Sequence, residues 1–183
     1  MRWQRSPANS ICRSMAEPAA SAITIRPARI EDAEAIHGSL LGIAEIVGEL
    51  HKVTSTPDDI RRYGFGTHPA FEVLIAEIDS EFAGMCLYFP IFSSWMGRPG
   101  VYIQDLFVAE RFRSLKVGER LLRRVAKLSK DAGGVYLRLS VDTENFRAQA
   151  FYDRLGIKFV PDEQVHKILG EAFFRLADTD SQA

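Results

Sequence analysis

The chain is short of the features that define several common protein classes. It has two cysteines, Cys12 in a polar leader and Cys86 in an apolar run. That is too few for a disulfide scaffold, pairing between them is not expected, and a reducing cytoplasmic setting fits. The histidines His37, His51, His68 and His166 are scattered, and neither CxxC nor HxxxH occurs. No metal site is therefore expected. No stretch approaches the ~18 consecutive apolar residues of a membrane span, and no membrane partner is expected. Neither sign of charge prevails: 23 Lys+Arg stand against 24 Asp+Glu, for a net charge of −1. A dedicated nucleic-acid binder carries a basic excess, so that class is set aside. A local basic site for one phosphorylated ligand is not.

What is present is one ordinary globular domain. The 183 residues are 46% hydrophobic and 26% charged, enough to bury a core without covalent staples. Residues 1–22 carry Arg2, Arg5 and Arg13 among Ser, Pro and Ala with no apolar block. They read as a disordered extension, with an upstream start before Met15 and a transit-peptide character as the other readings. Residues 178–183 read as a frayed tail. The domain spans 23–177.

Within it, apolar periodicity alternates between the two regular structures. Strands are expected over 23–28, 71–78, 82–92, 101–108, 135–141 and 165–169. Asp79-Ser80-Glu81 turns a hairpin, and 93–100 is a loop. Helices are expected over 30–47, from Pro57 behind a Thr56 cap, from Val117 to Gly133-Gly134, over 145–155 behind Asp142 or Thr143, and over 171–177. Hairpins followed by crossover helices predict an α/β protein with a mixed sheet and helices on both faces.

The sharpest chemical feature is Arg111-Phe112-Arg113-Ser114-Leu115-Lys116-Val117-Gly118, between a strand and a helix. The first amides of a helix have no partner within it and point outward, and with the helix dipole they attract an anion. Arg111, Arg113 and Lys116 add positive charge, and Gly118 lets the backbone approach a ligand. A solvated basic loop is the plainer alternative. Arg113-x-x-Lys116-x-Gly118, followed by "NFRAQAFY", resembles the GNAT acetyltransferase superfamily, whose Arg/Gln-x-x-Gly-x-Gly/Ala loop grips the pyrophosphate of acetyl-CoA. Lys116 stands where that motif has glycine. Four segments, 63–78, 93–108, 111–122 and 145–157, are most similar to the spermidine/spermine (diamine) acetyltransferase branch.

The resemblance implies a largely antiparallel mixed sheet of six to seven strands and acetyl-CoA as co-substrate. It also implies transfer to a small-molecule amine, diamine-like or amino-acid-like, and permits a homodimer. Main-chain groups of Leu106, Phe107 and Val108 would hold the pantetheine arm in a gap between strands. Residues Arg113, Ser114, Leu115, Lys116, Val117 and Gly118 would hold the diphosphate, and Asn145 would lie near the arm, its plainer role being a helix N-cap. Tyr152 matches the family tyrosine beside the CoA sulfur and would protonate the departing thiolate. Trp95, Arg98, Gln104, Glu45 and Glu49 are the candidates for the acceptor side. Gln104 replaces the glutamate of the branch's "LED" and cannot accept a proton. Asp105 alternates to the opposite face of a regular strand and cannot replace that glutamate without a bulge, which leaves ordered water, another acid such as Glu144, or a substrate amine of lower pKa. Two further readings stay open: a CoA-binding module without catalysis, and an enzyme acting on a protein amine.

Overall fold

A computed structural model of the chain describes residues 22–178. The expected extension before residue 22 and the tail after 178 lie outside the described residues. By contacts the chain divides into two units, one up to Ser140 and one from Val141.

The first unit is a sheet with helices on both faces. Strand β1 (Ile23–Pro27) leads through a short 3-10 turn into helix α1 (Ala33–Ile46), then into helix α2 (Pro57–Phe65). Thr56 accepts from the Asp59 amide while the Asp59 carboxylate accepts from the Thr56 amide, so the expected cap is a reciprocal capping box with Pro57 in the first turn. Strands β2 (Glu72–Ile78) and β3 (Glu81–Ser93) form the hairpin read from the sequence. Asp79 and Ser80 both take positive φ at its tip, 51° and 65°, the geometry that matches strand twist. Strand β4 (Arg98–Val108), helix α3 (Val117–Asp131) and strand β5 (Leu137–Leu139) complete the unit. The order is β1-β2-β3-β4-β5, antiparallel except for the β4–β5 pair.

The two faces of the sheet have different covers. Val73, Ile75, Met85 and Leu87 pack with Ala33 and Ile36 of α1 and Ile60 of α2. The alternate residues Leu74, Ala76 and Cys86 lie on the other face. There α3 presents Val117, Leu121, Leu122 and Val125, buried at helical spacing. Strand β3 is covered on both faces, which is why 83–88 reads as an unbroken apolar run. The Arg26 guanidinium ties β1 to Asp32, just before α1, and to Glu77 of β2, at 2.7 and 2.8 Å. It holds the Asp32 carboxyl below the usual carboxylate range.

In the second unit the described helices are α4 (Phe146–Arg154) and α5 (Glu171–Asp178). The cap of α4 is Asn145, whose Oδ1 accepts from the Ala148 amide at 3.0 Å, and not Asp142 or Thr143. Those two instead offer main-chain carbonyls to Gln149 Nε2.

Three sequence expectations change. The 93–100 loop shortens to the residues between Ser93 and Arg98, because those two pair in register. The strand over 135–141 contracts to Leu137–Leu139, and 165–169 forms no strand. Among the described residues the sheet therefore has five strands and not six to seven. Apolar alternation marks a segment able to pair, but a strand exists only where a neighbour supplies its hydrogen bonds.

Close approach of β3 and β4 at Gly84 sets the position of the segment that matters below. A Cβ at residue 84 would press on the Phe107 carbonyl oxygen of β4. We expect Gly84→Ala to cost about 1–3 kcal/mol, the usual range for overpacking, measured by urea unfolding; an unchanged midpoint would contradict this packing.

Candidate active site

Strand β4 outlasts its neighbour. Parallel pairing with β5 covers Val101↔Leu137, Tyr102↔Arg138 and Ile103↔Leu139 and then stops, while β4 continues from Gln104 to Val108. Extended residues aim their N–H and C=O to alternate sides. The Ala109 amide donates to the Ala83 carbonyl of β3, and the Phe107 oxygen lies against Gly84 of β3. Leu106 and Val108 therefore turn their main-chain groups to the side that β5 has left. Such groups need partners. Of the three residues expected to hold the pantetheine arm, two offer main-chain bonds and Phe107 spends its own on β3.

The anion loop follows directly. A 3-10 turn (Glu110–Phe112) brings the chain to Arg113, and α3 starts at Val117. Ser114 and Lys116 both have positive φ, 71° and 62°, and Lys116 is the N-cap with no side-chain cap bond. A left-handed residue followed by right-handed helical ones turns successive N–H groups into one concavity, an anion nest. Val117 and Gly118 are buried, so the nest is anchored in the core, whereas Leu115 is half exposed. Arg111 is tethered to Glu81 at 3.0 Å and stacked over Phe112, and Arg113 reaches Glu110 at 3.6 Å. Among the described residues Lys116 and Arg120, one helical turn apart, have no hydrogen-bond or ion partner for their side chains. Arg120 was missed from the sequence; the signal was its i+4 spacing from Lys116.

Just upstream, β4 is irregular. Leu87 pairs with Asp105 but Tyr88 pairs with Ile103, so Gln104 is the extra residue of a β-bulge. Gln104 is exposed and Asp105 is partly buried. Burial alone pushes the Asp105 carboxyl up to about 6. Two residues on, Phe107 packs against α1: a Cβ on Gly42 would lie 2.8 Å from its ring.

The remaining acceptor-side candidates are spread out. Trp95 is 99% exposed at the β3–β4 hairpin tip, and Arg98 opens β4 beside it. Glu45 is exposed in the last turn of α1. The Lys52 ammonium contacts the Glu49 carboxylate and offsets its charge, and His51 lies 3.7 Å from it. Since α1 meets β4 at Phe107, nine residues along from Arg98, a run of about 30 Å in a regular strand, Trp95 and the end of α1 lie toward opposite ends of β4. The structure does not bring them together. Asn145 and Tyr152 are on α4 of the second unit, where the Phe151 and Tyr152 rings meet edge-on with centroids 5.2 Å apart.

The family described as acetyltransferase (GNAT) matches residues 41–157. A mouse protein (Mus musculus) named thialysine N-epsilon-acetyltransferase is 31% identical over 164 residues, covering 84% of this chain and 96% of its own. An L-ornithine N5-acetyltransferase of Arabidopsis thaliana is 29% identical over 124 residues, covering 68% and 51%. Among solved structures, an integron cassette protein from V. cholerae superposes with a TM-score of 0.72 at 18% identity, covering 86% of this chain and 99% of that one. A ribosomal-protein-alanine N-acetyltransferase from Brucella melitensis biovar Abortus 2308 does so with 0.63 at 17%, covering 81% and 99%. At those identities the likeness is one of fold.

Lys116 holds a backbone conformation that glycine adopts freely and other residues resist by ~1–2 kcal/mol. We expect Lys116→Gly to raise unfolding stability by about 1 kcal/mol in the ligand-free protein, read from the denaturant midpoint. A loss of stability would mean that the left-handed turn carries no strain.

Proposed function

The chain belongs to the acetyltransferase (GNAT) family, and on that premise we propose that it carries acetyl from acetyl-CoA to the primary amine of a small molecule. The observation that carries the reading is the end of β4–β5 pairing at Ile103 beside an uncapped helix start. The first supplies main-chain partners for an extended amide-bearing arm. The second supplies donors for a diphosphate, with Lys116 and Arg120 as counter-charges. CoA contains both groups, joined in that order.

The chemistry follows from the bonds exchanged. The amine nitrogen bonds to the thioester carbonyl carbon, the carbon–sulfur bond breaks, and sulfur leaves as thiolate. Tyr152 is the proposed proton donor to that thiolate. A phenol near ~10 gives up a proton to a thiol near ~8.5 at small free-energy cost. Asn145 has committed its Oδ1 to the α4 cap, so it would meet the ligand only through its amide N–H groups.

The acceptor is proposed to be an amino-acid-like or diamine-like amine. Relatives named for thialysine and L-ornithine support this, as does the exposed carboxylate of Glu45 near the part of β4 that α1 covers. A CoA-binding module without catalysis is the second reading, favoured by one fact: Gln104 cannot take a proton. The fully buried Cys86 thiol, pushed up by desolvation and therefore inert, suits a reducing compartment. Among the described residues no helix is long and apolar enough to cross a membrane.

Saturating CoA at about 100 times its Kd should stabilise the protein by ~2.7 kcal/mol through linkage, seen as a rise in Tm. With thialysine or L-ornithine, acetyl-CoA should release free thiol. Tyr152→Phe should lower kcat by ~10²-fold and leave the CoA-induced rise in Tm intact. Stabilisation by CoA without thiol release from any amine would establish the non-catalytic module instead.

A further inference from the structure

We propose that Asp105 is the group that takes the proton from the attacking amine. The inference rests on the acetyl-transfer reading above and names the base which that reading lacks.

The argument begins with register. Counting from the Ile103↔Tyr88 pair, an unbroken antiparallel strand would set residue 104 opposite Leu87. The bulge delays the chain by one residue, and Asp105 takes that place. Leu87 belongs to the face that α1 covers, as does Met85, the partner of Phe107. Asp105 thus stands on the α1 face, adjacent in sequence to Leu106, whose main chain opens toward the gap. The regular alternation that would aim Asp105 away from the position of the branch glutamate does not hold here, because the strand is not regular.

The surroundings suit a base. Among the described residues the Asp105 carboxylate makes no hydrogen bond and no ion pair, and burial is the sole cause of its raised pKa. A partly buried carboxylate without a partner is a pure cost to folding, and such groups cluster where chemistry uses them. No cation fixes its proton affinity low. On β3 the titratable group it influences is Cys86, on the other face of the sheet, whose thiol stays neutral. On α1, Glu34 is paired with Arg61, His37 binds the Ser55 carbonyl, and Glu45 faces solvent. On β5, Arg138 lies opposite Tyr102, before the bulge. The charges of α3 lie on the opposite face of the sheet.

The amine reacts as its neutral form, having left its ammonium proton (pKa near ~10.4) in solvent; the nitrogen lone pair then forms the C–N bond, which makes the attached N–H strongly acidic. Its proton passes to Asp105 directly or through one water as the C–S bond breaks. The thiolate receives its proton separately, and Asp105 returns its own to solvent after product leaves. Gln104, beside it, can hold the amine by hydrogen bonding but cannot take a proton.

The test is kcat at saturating thialysine and acetyl-CoA across pH 5–9, for wild type, Asp105→Asn, Asp105→Glu and Gln104→Ala. The wild-type rate should fall tenfold per pH unit below about 6. Asp105→Asn should lose ~10²-fold or more in kcat together with that acid limb, while CoA binding by calorimetry is unchanged. It should also raise Tm at pH 7.5, because the folded carboxyl has the higher pKa and its ionisation opposes folding above that value. Asp105→Glu should keep an acid limb, and Gln104→Ala, which removes a group that can hold the amine, should raise KM for the amine without abolishing that limb. A merely structural residue would not couple a gain in Tm to a loss of rate. Wild-type kcat and an unchanged limb in Asp105→Asn would overturn the proposal while leaving acetyl transfer standing, as would an effect confined to KM. No thiol release from the wild-type protein would overturn both.

Discussion

Parallel pairing between β4 and β5 lasts from Val101 to Ile103, and what the protein can bind depends on where it ends. A sheet satisfies its backbone only while strands stay side by side. Once β5 departs, Leu106 and Val108 present donors and acceptors of fixed spacing to whatever enters. An extended amide-containing arm meets that requirement as another strand would. The groups that recognise it are main chain, so the side chains of this stretch remain free to pack the core, as Phe107 does against α1. The same eleven-residue strand serves as core element and binding edge because the two uses employ different atoms.

Two local departures from regular geometry adapt that edge to chemistry. At its far end the chain takes a left-handed turn at Lys116 before α3 begins, leaving the first helical amides uncapped and aimed outward. In the middle, the bulge at Gln104 turns a carboxylate toward the face where the acceptor side is proposed. Both cost stability: one through backbone conformation, the other through an unpartnered, desolvated acid. Local strain and unpaired charge of this kind are tolerated where the surroundings over-determine them, as buried Val117 and Gly118 do here.

Much of the fold was legible in the sequence because its signals are local. The Thr56-Pro57 helix start, the Asp79-Ser80 turn and the apolar stripe of α3 each depend on residues within a few positions of one another. The failures are non-local. Register is a property of two strands, so the bulge at Gln104 cannot be read from β4 alone, and alternation misplaced Asp105 by one residue. The run at 165–169 has a strand's pattern, yet no strand forms there among the described residues. Trp95 and Glu45 share a chemistry suited to an amine, yet Trp95 stands at the β3–β4 turn and Glu45 in the last turn of α1. The anion loop was legible as chemistry, but only the structure shows that Arg111 is already tethered to Glu81 and that Arg120 is not paired.

Amide hydrogen exchange along β4, with and without CoA, tests the central claim most directly. The account predicts that Leu106 and Val108 exchange rapidly in the free protein and become protected when CoA binds, whereas Phe107, bonded to β3, is protected in both states. Binding of CoA that left the Leu106 and Val108 amides as exposed as before would contradict it.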